Sequence, residues 1–120
     1  MKYFQNNAAQ GDLMLIRVSG LPDGMEAVQS EKGEFILAHS ETGHHHVVIE
    51  RPGVELRQDP SDPLRAFLIV RQEAIDAGDI EITHKRSFDT HETIAPKEAG
   101  IYEIRRQREH TAEGFRRVQD

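Results

Sequence analysis

The chain lacks cysteine and tryptophan altogether, and five Phe and two Tyr are its only phenyl rings. Without thiols there is no disulfide, no thiolate metal site and no cysteine nucleophile, a usage compatible with a cytosolic home. Long apolar runs are missing too, and none approaches the ~20 residues of a membrane span. The opening "MKYFQNNAAQ" has no apolar stretch of the kind a signal peptide carries. Positive charge is in deficit, with 15 Lys and Arg against 21 Asp and Glu, a net charge of −6 and a pI near 5.6. That balance gives no overall pull toward nucleic acid or an anionic membrane, so neither is an expected partner. A cytoplasmic setting is the expectation that remains.

Hydrophobic residues make up 37% of the 120 and charged residues 30%. The length suits one domain with a core of its own. The low apolar share suits a highly solvated domain, or one that completes its burial in a homo-oligomer or larger protein assembly. Residues 1–10 are polar and read as an N-terminal arm, leaving 11–120 as a single β-rich domain.

Apolar runs of strand length recur between turn signals. "LMLIRV" lies between Gly11 and Gly20, and "LPDG" carries turn chemistry at Pro22, Asp23 and Gly24. "EFILAHS" and "HHHVVIE" flank Glu41-Thr42-Gly43, a connection of hairpin length. "VELRQ" reads as a strand, "DPSDP" as a loop, and "LRAFLIV" as the best candidate for a central strand. "RQEAIDAGD" could supply a helical turn before Gly78, and "IEITH" alternates as a half-exposed strand does. A turn at Pro96 and Gly100 precedes an alternating strand through Tyr102 and Ile104. "TAEGFRRVQD" offers a short C-terminal helix with Thr111 as its N-cap. The expected fold is all-β, a small antiparallel β-barrel or sandwich of about seven or eight short strands.

Seven histidines stand out in this setting, three of them consecutive at 44–46. If 44–50 is extended, His44, His46, Val48 and Glu50 share one face, and His45, Val47 and Ile49 share the other. Two imidazoles projecting in parallel begin a metal site, since neutral imidazole is the commonest protein metal ligand. Zinc needs four ligands, or three and an open position. Further donors would come from Glu50, from His39 or Glu41 across the hairpin, or from His84 or His91. Zinc, nickel and iron are not distinguished by this donor set. The competing reading is a solvated, histidine-rich strand edge, with His45 packed beside Val47 and Ile49 in the core.

The spacing His44-x-His46-x3-Glu50 resembles the metal-binding half-motif of the cupins, which are small β-barrels. Their second motif, a histidine after a Pro-x-Gly turn, is not matched: His91 precedes the Pro96/Gly100 turn. Across most of the chain, "QGDLMLIRVSGLPDG", "ILAHSETGHHHVV" and "THETIAPKEAGIYEIRRQREHTAEGFRRVQD" resemble a family of small uncharacterised proteins of bacterial and phage genomes. That resemblance brings no established activity. It implies that Gly43, His44 and His46 belong to a shared motif and that His91 is the partner histidine. The segment "KRSFDT" between His84 and His91 is longer than the family pattern, which leaves the role of His84 open.

Elsewhere, "RRQREHTAEGFRR" concentrates Arg105, Arg106, Arg108, Arg116 and Arg117, interleaved with acids. A solvated charged face is the plain reading, and docking to an acidic protein surface the functional one. No phosphate loop is present, and no catalytic residue is assigned. Two functions remain as expectations. One is a small β-rich binding module with a histidine-based divalent-metal site. The other is a non-enzymatic, phage-related structural or accessory protein that acts by self-assembly or surface binding.

Overall fold

Short apolar runs broken by glycine and proline become strands that cannot bury both faces alone, and here they stack as two sheets. The structure, a computed structural model, describes residues 1–38, 45–85 and 92–106 in full, together with the backbone of strands at 108–111 and 114–117. In chain order the first strands are β1 (Lys2–Phe4), β2 (Asn7–Gln10), β3 (Leu13–Val18), β4 (Glu26–Ala27) and β5 (Glu34–Ala38). There follow β6 (His46–Ile49), β7 (Val54–Asp59), β8 (Asp62–Val70), helix α1 (Gln72–Asp76) and β9 (Ile82–His84). The last are β10 (Ile94–Pro96), β11 (Gly100–Arg106), β12 (Arg108–Thr111) and β13 (Gly114–Arg117).

One sheet has the order β1-β10-β9-β6-β5 and the other β2-β3-β11-β8-β7-β4. They are not closed into a barrel, so the fold is an all-β sandwich. Its core is a single cluster that includes Leu13, Leu15, Leu68, Ile82, Ile94 and Tyr102. The run "LRAFLIV" occupies β8, flanked by β7 and β11 as a central strand should be. Its Ala66, Phe67 and Leu68 are all buried, which explains why the run is continuous rather than alternating.

Several expectations are corrected. Among the described residues the strands number thirteen, and the first ten residues form β1 and β2 instead of an arm, one in each of the two large sheets. β1 pairs with β10 in parallel, so the sandwich is not wholly antiparallel. "DPSDP" is mostly strand: only Pro60 and Ser61 turn, and the Asp59 carboxylate caps that turn by accepting from the Ser61 amide and hydroxyl. The expected C-terminal helix is absent from its place, since the backbone at 108–111 and 114–117 is a hairpin. Gly114 lowers helix propensity there. The short helix is α1, in the segment read as a helical turn.

Tyr102 fills the centre of the core from β11, edge-on to Phe4, and its hydroxyl donates to the Glu98 carbonyl. Burial raises its pKa above 10, the charge of Arg17 opposes that shift, and Glu98 adds to it. The folded state therefore keeps this proton where the unfolded chain releases it. Stability contributed by Tyr102 is full below about pH 10 and is lost as pH rises through the folded value. Urea midpoints measured at pH 9 and pH 11 will fall with pH, and Tyr102→Phe will flatten the decline. Tyr3, whose pKa its hydrogen bond to Asp79 raises in the same direction, will retain a share.

Candidate functional site

Gln10 and Leu13 are paired across the β2–β3 hairpin, so Gly11 and Asp12 form a two-residue loop. Gly11 takes φ 59°, whereas Asp12 is not among the positive-φ residues, the pattern of a type II′ turn with glycine first. This tight turn holds Gln10 and Asp12 at one end of the six-stranded sheet, next to Arg106 at the end of β11, which pairs with Leu13. In the five-stranded sheet, His46 opens β6 and is paired with Ala38 at the end of β5 and with His84 at the end of β9. Both sheets thus bring polar residues to one pole of the sandwich.

There the two sheets are joined by buried polar contacts. Gln10 is 2% exposed, and its Nε2 donates to the carbonyls of Ile82 and Glu92, both at 2.9 Å. Carbonyls only accept, so the amide orientation is determined and Oε1 faces the Nδ1 of His46 at 2.9 Å. Since Oε1 accepts, Nδ1 carries the proton. On the other side of the ring, His46 Nε2 stands 3.4 Å from Asp12 Oδ1. The second oxygen of Asp12 accepts from Arg106 Nη1 at 2.9 Å. His84, fully buried, stacks on His46 with ring centroids 4.0 Å apart and planes 10° from parallel.

An inter-sheet cleft of about 250 Å³ opens beside this cluster. Its walls are mixed: Val28, Ile36, Leu56 and Ile104 supply apolar surface, Gln29, Glu31 and Gln58 polar surface, and Arg106 lines it as well. Arg106 therefore touches both the cleft and Asp12.

Of the residues expected at a site, His46 and His84 come together. His44, His91, His39 and Glu41 lie outside the described residues. Glu50 is at the other end of β6, four residues and about 13 Å along the strand from His46. It is exposed there, where its Oε1 accepts from Ser30. The face assignment is partly reversed: His46 and Val48 turn toward the core and Ile49 is 63% exposed, while Val47, though buried, lies outside the core cluster. Arg105 is exposed and paired with Glu103, whereas Arg106 is turned inward, its side chain 12% exposed. The side chains of Arg108, Arg116 and Arg117 lie outside the described residues, and their backbone register pairs Arg108 with Arg117 and Arg116 with Glu109. Among the described residues, no group of three or more His, Asp or Glu side chains is set to hold a metal ion, and no helix is long and apolar enough to cross a membrane.

Gln10, Asp12 and the inward role of Arg106 escaped the sequence reading. The signal for Gln10 and Asp12 is polar residues abutting an apolar strand at a glycine turn, in "QGD", one of the segments that carry the family resemblance.

The fold and cluster define a β-sandwich protein with a buried histidine–carboxylate–arginine clasp at one pole. A family model described as a domain of unknown function, DUF8820, matches residues 9–107, and the chain belongs to that family. The matched stretch contains Gln10, Asp12, His46, His84 and Arg106. Comparison with curated proteins and with solved structures found no match.

Because Gln10 satisfies three groups at once, two of them in buried contacts, Gln10→Leu will leave two carbonyls and the His46 Nδ1–H without it. The loss is expected to be about 2–5 kcal/mol, since each unsatisfied buried group costs roughly 1–3 kcal/mol. A urea titration will show it as a lower midpoint with an unchanged slope.

Proposed function

We propose that the protein is a small β-sandwich binding module that holds a divalent cation at the histidine pole. The carrying observation is the state of His46. Its Nδ1–H is held by a buried glutamine, so Nε2 presents its lone pair to the cluster. Metal-bound histidines are oriented in this way by an outer hydrogen bond on the second ring nitrogen. His44 precedes His46 by two residues, and His91 adjoins Glu92, whose carbonyl accepts from the same Gln10. These histidines are the donors proposed to join His46, and the adjoining cleft, with both apolar and polar walls, suits a small ligand next to the cation. A zinc, nickel or iron ion would suit imidazole and carboxylate donors.

Metal content measured on protein purified without a histidine tag tests this reading. About one equivalent in the native chain, lost in His44→Ala/His46→Ala, is expected. Equal, substoichiometric metal in both would sink it.

A second reading, an assembly subunit of bacterial or phage origin, draws support from the outer edges of β2 and β5. Among the described residues each ends its sheet, and an exposed strand edge is a template for another chain. That reading expects a mass in solution that rises with concentration. A constant monomer mass would remove it.

A further inference from the structure

The start of β8 and the end of β11 set arginines beside apolar surface. Arg65, Arg105 and Arg106 line an open hollow of about 310 Å³ together with Leu64 and Ile104. Leu64, Ile104 and Arg106 line the inter-sheet cleft as well, so the hollow is its outer vestibule. Ile104 is paired with Ala66 across β11 and β8, and the next residues on those strands are Arg105 and Arg65. Like charges set side by side across strands repel, so this placement favours an anion between them. Both guanidiniums retain donors for one. Glu103 engages Arg105 through Nε, and Asp59 Oδ2 stands 3.7 Å from Arg65 Nη1, beyond hydrogen-bond reach. A guanidinium carries five N–H donors in a fork that matches a carboxylate. Arg65 is also held over the buried Phe67 ring, its Cζ 5.7 Å from the centroid.

Leu64, an apolar side chain 58% exposed, lies where the hollow meets the cleft. The cleft behind it has about 250 Å³, with apolar surface from Val28, Leu56 and Ile104. That volume holds roughly eight groups of the size of water, at ~30 Å³ each. We infer that hollow and cleft together bind an amphipathic monocarboxylate, its head on Arg65 and Arg105 and its short aliphatic tail in the cleft. This names a ligand class for the binding module proposed above, on which it rests, but it requires no cation. A single negative charge suits the site better than a phosphate dianion. Asp59, Glu103 and Asp12 already offset much of the arginine charge, and Glu31 lines the cleft. Arg106, which holds Asp12, adds positive charge and is not needed as a donor.

Sodium octanoate titrated into tag-free protein in the presence of EDTA, followed by calorimetry, tests the inference. The chains are native and Arg65→Gln/Arg105→Gln, whose substituted side chains are exposed. The expected result is one octanoate per native chain, bound at least about tenfold more weakly by the double variant, as loss of charge-assisted hydrogen bonds implies. Butanoate should bind more weakly than octanoate by about fourfold per methylene removed. Octyl phosphate should bind no more tightly than octanoate. No saturable octanoate binding, in a chain that takes up one equivalent of metal, would overturn this ligand and leave the cation reading standing. Failure of both would overturn the module. Unchanged affinity in the double variant would overturn the head site, and tighter binding of octyl phosphate the monocarboxylate. In the native chain the methyl resonances of Leu56 and Leu64 should shift as octanoate saturates. Resonances left unmoved, or butanoate bound as tightly as octanoate, would overturn the place of the tail.

Discussion

The contact on which the pole of the sandwich depends is the hydrogen bond from His46 Nδ1 to Gln10 Oε1. It joins the two sheets, because Gln10 ends β2 of one and His46 opens β6 of the other. A buried amide can do this only if its other end is satisfied, and the carbonyls of Ile82 and Glu92 satisfy it. Those carbonyls also belong to the five-stranded sheet and its approach to β10. One side chain therefore sets the approach of the sheets, the tautomer of a histidine and the direction of its remaining lone pair. Asp12, two residues later, repeats the pattern by reaching from Arg106 within its own sheet to His46 across the gap.

Buried polar groups of this kind add little net stability when replaced as a set, but losing one partner is costly. The sandwich has an ample apolar core in Leu13, Leu15, Leu68, Ile82 and Tyr102. Under the proposed reading, the clasp's place beside the cleft sets His46 to hold a ligand. This is the reason for preferring a binding role over the plain reading of a histidine-rich strand edge, which a fully buried His46–His84 stack does not fit.

Much of the architecture was legible in the sequence. Strands of all-β character, the hairpin of β5 and β6, the central place of "LRAFLIV" and the short helix at 72–76 follow from local apolar runs and turn residues, which act over a few positions. Residues 1–10 were misread because their strands earn burial only through distant partners, β10 for Lys2–Phe4 and β3 for Asn7–Gln10. His46 is buried at the start of β6, and His45, just before it, is half-buried. Strand alternation failed on which face was core, since Val47 is buried without joining the core cluster and Ile49 is exposed. Glu50 shares parity with His46, but parity ignores the length of the strand between them. Gln10 and Arg106, 36 and 60 positions from His46, were beyond any local pattern.

The tautomer of His46 is the point where the geometry becomes a chemical statement. Long-range ¹⁵N–¹H correlation spectra of the imidazole rings at neutral pH report it directly on the metal-free native chain. The account predicts a protonated, pyrrole-type Nδ1 for His46, and a Gln10→Ala chain in which that preference is lost. A His46 ring with Nε2 protonated and Nδ1 bare would contradict it, because Gln10 would then not be holding the ring as described.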